Sequence, residues 1–367
     1  MTLQDRAPAI LTIDLAAVVA NYRTVQAAAP GAEVAGVVKA DAYGLGVAPV
    51  ARALAGAGCR SFFVATIDEG IELRAILPEA GAIHVLGGPL PGSDGEFAAH
   101  RLTPVLNSME QVAQWRAFVE RGGPPQVTLH LDTGMSRLGI EPANVRRLAE
   151  DPGLRGGIRP VVVMSHMACA DEDPHPKNRE QLDAFRALQA LLPGGCPRSL
   201  AASSTIYLGS DYHFDLVRPG LALYGGNPMP GKPNPVRPVV GLRGRILQVR
   251  DVDSPMTVGY GASHRVTAKG RVATVAVGYA DGLFRSLGNR GFGMIGGERV
   301  PVVGRISMDL TTFDVSAVPE ALAQPGAFID ILGPDHDIDA LAAEANTIGY
   351  EMLTALGRRF HRVYEGG

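Results

Sequence analysis

The sequence predicts an α/β protein: an N-terminal (β/α)8 barrel of the TIM type followed by a C-terminal all-β domain. Three observations carry this expectation. Up to about residue 225, short apolar runs alternate with longer amphipathic stretches. A Pro- and Gly-rich stretch, Asn227-Pro-Met-Pro-Gly-Lys-Pro-Asn-Pro, then breaks the pattern. Beyond it come short β-type runs parted by Gly, Pro and Asp.

The apolar runs read as strands at Val34–Val38, Phe62–Ala65, Ile83–Leu86, Thr103–Leu106, Val127–Leu131, Val161–Met164, Ser199–Ala202 and Leu221–Leu223, with a further short strand at Phe214–Val217 ahead of Arg218. Helical spacing of apolar residues marks Val47–Ala57, Ser108–Glu120 and Arg179–Leu192 between them. Strand–helix alternation implies parallel strands joined by crossover helices. Units in this number close a barrel; an open doubly wound sheet is the structural alternative. The Pro-rich stretch reads as a linker. The β-type runs after it are Leu242–Val249, Val272–Val277, Arg299–Val303, Thr311–Val315 and Phe328–Leu332, with a short helix at Ile338–Ala345.

A chain of 367 residues exceeds one ordinary domain, so the reading is a barrel over 1–230 and a β domain over 231–367. Hydrophobic residues make up 46% and charged residues 19%, enough to bury a sizeable core. The net charge of -3, without charged blocks, points away from nucleic acid and from a membrane surface. No apolar stretch suits a membrane span, and Met1 to Pro8 lacks a secretion pattern. The three cysteines, Cys59, Cys169 and Cys196, fit reduced thiols in a cytoplasmic protein, not a disulfide framework or a metal site.

Lys39 stands at the end of the first strand, in Val-Val-Lys39-Ala-Asp-Ala-Tyr43-Gly-Leu-Gly46. The C-terminal strand ends of such a barrel form its active site. A lysine facing an apolar interior there has its ammonium form disfavoured, which frees the amine for Schiff-base chemistry. By position alone a solvated lysine at a strand end is an equally good reading. Gly44 and Gly46 permit a tight turn into the next helix.

Further motifs follow in order: His130-Leu-Asp-Thr-Gly-Met-Ser-Arg137-Leu-Gly, Ser165-His166, Val217-Arg218-Pro-Gly220, Gly259-Tyr260-Gly-Ala, Gly278-Tyr279-Ala-Asp281-Gly and Gly304-Arg305-Ile-Ser-Met308-Asp309. Each is weak alone. Jointly, from about Thr12 to the last residues, they resemble the alanine racemase family of fold-type III enzymes dependent on pyridoxal 5'-phosphate (PLP).

The resemblance implies racemisation of L- and D-alanine by two bases. Lys39 carries PLP and serves the D-face; Tyr260 serves the L-face from the other subunit of a homodimer. A phenol of ordinary pKa near 10 needs a neighbouring cation for that task. Arg218 points at the pyridine nitrogen and, as a permanent cation, opposes its protonation. Tyr43, Ser203 and the backbone of Gly220 and Leu221 hold the phosphate, with Ser204 as a neighbour. His166 packs on the cofactor and bonds Arg218 or its surroundings. Arg137 orients the substrate carboxylate, while Tyr279, Met308 and Asp309 close the pocket from the partner.

Some positions depart from the family pattern. His130 replaces a lysine, often carbamylated, that orients the arginine matching Arg137; chloride or Asp132 is the expected substitute. Leu45 stands for a histidine and Ala202 for an asparagine, and Arg358 lies where some members have a phosphate-binding tyrosine. Within the same reading a broad-spectrum racemase is open. The competing classes are a PLP-barrel decarboxylase, against which Arg218 speaks, a PLP-binding carrier protein, against which the β domain speaks, and a PLP-free Schiff-base aldolase.

Overall fold

The computed structural model describes residues 3–79 and 81–367. The first barrel strand runs in two pieces, Glu33–Val34 and Gly36–Val37. Ser61–Val64, Ala82–Val85, Thr103–Leu106, Gln126–His130, Arg159–Met164 and Arg198–Ser199 follow, each parallel to the last. Leu216–Val217 then pairs with Glu33–Val34. The bonds Asp215 N–H to Arg198 O (3.0 Å) and Arg218 N–H to Ala201 O (2.8 Å) join it to the strand before. The ring closes, so the fold is a barrel and not an open sheet. Near-continuous apolar runs such as Ser61-Phe-Phe-Val suit strands covered on both faces.

The closing strand, Leu216–Val217, falls within the short strand read at Phe214–Val217 and is not the apolar run Leu221–Leu223. Those residues lie in a 3-10 turn, Leu221–Tyr224, beyond Pro219 and Gly220. Pro219 has no N–H to give to a ladder, so the strand stops before it. The helix expected at Arg179–Leu192 spans Pro176–Gln189 instead. His175 caps it by accepting from Lys177 N–H (3.1 Å), and Pro176 occupies the first turn, where a missing N–H costs nothing.

The strand Ala9–Asp14 precedes the barrel in sequence but sits in the sheet of the second domain. It pairs antiparallel with Val240–Val252 and parallel with His361–Glu365. Asp14 then caps the helix Leu15–Ala28, which leads into the barrel. Val240–Val252 is the spine of the second domain: it also pairs with Phe328–Leu332 and Gly270–Val275, the latter with Thr311–Asp314. The Pro-rich stretch is tied down by Asn21, whose amide donates to Arg237 O (2.9 Å) and accepts from Arg237 N–H (2.7 Å).

Two helices close the second domain, Ile338–Ala345 and Gly349–Ala355. The second lies on the mouth of the barrel. A side chain at Gly44, which sits in the left-handed region at φ +81, would come within 2.6 Å of the Leu353 carbonyl. Glycine is therefore required there twice over, for conformation and for space.

Candidate active site

Where the barrel strands end, a cavity of about 1280 Å3 opens under that helix. It brings together Lys39, Tyr43, Arg137, His166, Ser203, Arg218, Gly220 and Leu221. These are the barrel residues singled out from the sequence, contributed by separate strand ends and the turns after them.

Lys39 is half-buried. Burial holds its ammonium below the ordinary lysine range, the Arg137 guanidinium pushes the same way, and Glu69 partly offsets both. Arg218 is 4% exposed. It donates to Ser199 Oγ and to the Ser165 carbonyl (2.7 Å). No carboxylate pairs with it among the described residues. Burial pulls its pKa down to about 10, which still leaves a permanent cation at neutral pH.

The two histidines are neutral. Burial, then Arg218 and Arg137, lowers His166 to about 3. His166 makes no bond to Arg218; its carbonyl accepts from Gln181 (3.0 Å). Burial first, then Arg218, lowers His130 to about 4. Its Nδ1 meets Asn107 Oδ1 at 2.8 Å. The Asn107 amide donates to Leu86 O (2.9 Å) and Val105 O (3.0 Å), so its oxygen faces the ring. An amide oxygen only accepts, and Nδ1 must therefore carry the proton. Nε2 is left as an acceptor.

Asp132 is not the partner of Arg137. One of its carboxylate oxygens accepts from Gly134, Met135 and Ser136 N–H at 2.9–3.1 Å, folding the loop that carries Arg137. Arg137 itself is exposed and makes no ion pair among the described residues. Leu45, fully buried, lies outside the cavity, while Ala202 lines it.

The far end of the cavity suits an anion. Ser203 Oγ accepts from Gly220 N–H (3.0 Å) and Ala222 N–H (3.2 Å), so the Gly220 N–H is engaged. The opening N–H groups of Ser203–Ile206 have no side-chain cap, whereas in Leu221–Tyr224 the Ala222 N–H is taken by Ser203 Oγ. The Tyr43 hydroxyl has no hydrogen-bond partner among the described residues. It lies so close to Gly220 that a Cβ there would come within 2.3 Å of it. Lysine amine, unpaired cation and uncapped N–H groups fit the aldehyde, ring and phosphate of PLP.

Tyr350 also lines this end, 5.9 Å from Tyr43 ring to ring, and burial raises its pKa to about 12. Sequence reasoning missed it and put Arg358 at this corner. Arg358 follows the helix Gly349–Ala355 and is not in the cavity wall. The readable signal was the helical start at Gly349, one turn after Ile338–Ala345.

Tyr260, Tyr279, Met308 and Asp309 are elsewhere. Tyr260 is 69% exposed, Tyr279 43% and Met308 54%. They share one face of the second domain. Tyr279 N–H donates to Ser307 O (3.0 Å), Ala280 N–H to Met308 O (2.9 Å), and Gly259 backs onto Arg305. Arg359 ties Asp309 (2.7 Å) to Asp281 (2.6 Å) beneath.

The profile described as "Alanine racemase, N-terminal domain" matches residues 13–228, and that for the C-terminal domain matches 239–364. The chain belongs to the alanine racemase family. An alanine racemase of Rhodospirillum rubrum is 53% identical over 365 residues, 99% of this chain and 97% of the relative. One from Acidiphilium cryptum is 51% identical over 96% of this chain and 98% of its own. The crystal structure of alanine racemase from Bartonella henselae with covalently bound pyridoxal phosphate has a TM-score of 0.93 at 39% identity. It covers 98% of this chain and 99% of that one, so both domains share the family arrangement. No helix among the described residues is long and apolar enough to cross a membrane.

Proposed function

We propose that this chain is a PLP-dependent racemase that interconverts L- and D-alanine, with each active site assembled from two copies in a cytoplasmic homodimer. One observation carries the shared site. The lysine, the cations and the phosphate cradle line one cavity, while Tyr260, Tyr279, Met308 and Asp309 stand exposed on another face. Two-base racemisation needs one proton-handling group on each side of the substrate α-carbon. Lys39 supplies one from the barrel, and Tyr260 of a second copy supplies the other. On this reading the barrel, from Leu15 to about residue 230, holds the cofactor with help from Tyr350, and the second domain, whose sheet includes Ala9–Asp14, completes the partner's site.

Tyr43, Ser203 and the Leu221 N–H would hold the phosphate, joined by Tyr350, while Gly220, its own N–H taken by Ser203, makes room for the Tyr43 hydroxyl. His166, neutral, packs beside the ring, and Arg218 sets its permanent cation at the ring nitrogen. When bound, PLP supplies the electron sink that lets the α-proton leave. A permanent cation at that nitrogen weakens the sink, which favours reprotonation over side reactions and weighs against decarboxylation. Arg137 holds the substrate carboxylate. Lys39 moves a proton at Nζ on the D-face, and Tyr260 at its phenol oxygen on the L-face. Tyr279, Met308 and Asp309 of the partner exclude water.

Subunit complementation tests this. Lys39→Ala and Tyr260→Phe chains are each inactive as homodimers. A mixed dimer contains one intact site if Lys39 and Tyr260 come from different copies. Random mixing then restores roughly a quarter of wild-type activity. No restoration places both residues in one copy and sinks the shared site.

A further inference from the structure

Glu69 does not line the cavity, yet its carboxylate joins two barrel strands at the point where Lys39 emerges. Oε1 accepts from Ala40 N–H at 2.7 Å. Oε2 accepts from Ala65 N–H at 2.7 Å and Thr66 N–H at 3.3 Å. Ala40 directly follows Lys39, and Ala65 follows the second barrel strand, Ser61–Val64.

The backbone after Lys39 needs such a tether. Ala40, Asp41, Ala42 and Tyr43 have φ of 53, 55, 52 and 57, a left-handed turn made entirely of L-residues with a Cβ. Single residues visit that region; successive ones pay a steric penalty each. Ala42 N–H to Val38 O (2.9 Å), Gly44 N–H to Ala40 O (2.7 Å) and Val47 N–H to Asp41 Oδ1 (2.7 Å) hold the turn from within and from the helix after it. At its first residue, the side chain bonded to it is Glu69, which reaches across from the helix Ile67–Ile76.

We propose that Glu69 is the positioning residue of Lys39: its carboxylate bolts the left-handed turn to the neighbouring strand end and so fixes the direction in which Nζ enters the cavity. This rests on Lys39 as the cofactor lysine. Both carboxylate oxygens are used as acceptors, so an amide cannot substitute. Gln would turn a donor toward one of the strand-end N–H groups. The charge matters separately. Glu69 and Arg137 act on Lys39 with opposite signs, and His166, which also faces it, stays uncharged.

The test is PLP capture by full-length apoenzyme. The Lys39 amine adds to the aldehyde carbon, a C=N bond forms and the aldehyde oxygen leaves as water. Capture rate is followed by visible absorbance across pH, and the product is reduced with borohydride and mapped to a peptide. Glu69→Gln is expected to slow capture by roughly 10–100-fold, the worth of a charge-assisted hydrogen bond, and to lower kcat with KM for alanine little changed. Its pH midpoint moves down, because the charge that favoured the ammonium is gone. Glu69→Asp keeps the charge but is one methylene short, so it slows capture without moving the midpoint; it also serves should the amide variant fail to fold. Thr66→Ala breaks the helix cap and leaves all three bonds that the Glu69 carboxylate accepts, and Glu72→Gln alters an exposed carboxylate on the same helix. Both capture at the wild-type rate.

Wild-type rate and midpoint in Glu69→Gln overturn the proposal, as does equal slowing in Thr66→Ala, which would assign the effect to the helix cap. These outcomes are judged with the wild-type label on Lys39. A wild-type label on another lysine overturns the site reading along with this one.

Discussion

Replacing Gly220 with alanine probes the phosphate cradle chiefly through space. The backbone there, φ -123 and ψ -78, is not in the left-handed region, so the contact with Tyr43 is the larger obstacle. The added Cβ would stand 2.3 Å from the Tyr43 hydroxyl oxygen, 2.8 Å from Cζ and 3.3 Å from Cε2. Ordinary contact begins at 3.4 Å, so the hydroxyl must retreat by about 1 Å. Tyr43 has little room to do so. It is 6% exposed, with Tyr224 at 4.8 Å and Tyr350 at 5.9 Å from its ring. Overpacking of this kind costs about 1–3 kcal/mol, and a lost hydrogen bond to a charged group about 1.5–3 kcal/mol. The overpacking weighs on apoenzyme and holoenzyme alike; the lost hydrogen bond falls on the cofactor, so affinity should drop roughly 10–100-fold, as each tenfold is about 1.4 kcal/mol. The assay is equilibrium titration of apoenzyme with PLP. Tyr43→Phe loses a similar amount by removing the hydroxyl. In the double variant the worst contact is gone, and the approaches to Cζ (2.8 Å) and Cε2 (3.3 Å) remain. The double loss should fall short of the sum by about 1 kcal/mol or more. Strict additivity, or wild-type affinity in Gly220→Ala, would refute the close approach as the reason for glycine.

Lys39→Ala should abolish both the visible absorbance of the lysine-bound cofactor and racemisation in either direction; retained turnover removes the assignment. Arg218→Glu should raise transamination relative to racemisation, measured as pyruvate formed per turnover, and unchanged partitioning removes the argument from that cation. His130 lies at 6.5 in the unfolded chain and about 4 in the folded one, because burial disfavours its charged form. The unfolded state thus binds the extra proton first. Stability is full above pH 6.5 and falls as pH drops through 6.5 toward 4, by about 3 kcal/mol from this residue. His130→Gln should flatten that part of the Tm–pH curve, and a curve of unchanged slope would show that the residue is not buried neutral.

The barrel was readable because its strands are short, apolar and evenly interrupted, a pattern that both-face burial imposes. The misreading at Leu221–Leu223 arose because an apolar run looks alike in a strand and in a buried 3-10 turn; Pro219 was the discriminating signal. The pairing of Ala9–Asp14 with residues more than two hundred positions away leaves no local trace in the sequence. Neither does the left-handed turn at Ala40–Tyr43. Ala, Asp and Tyr do not advertise positive φ, and only Gly44 and Gly46 hinted at a turn. The barrel half of the site came from motif order, and the structure gathers it in one cavity. Tyr350 escaped because it depends on how the second domain's last helices sit over the barrel mouth. The departure at His130 was visible as a residue, but its consequence needed Asn107, a neighbour supplied by a different strand end.

The most direct measurement is loss of the α-proton in deuterated solvent, compared for L- and D-alanine in the wild-type enzyme and in Tyr260→Phe. The phenylalanine variant is expected to slow proton loss from the L-enantiomer by at least about 100-fold, in line with removal of a general base, and to leave loss from the D-enantiomer far less affected. Equal slowing of both would mean that a single group serves both sides of the carbon, and the two-sided mechanism would be wrong.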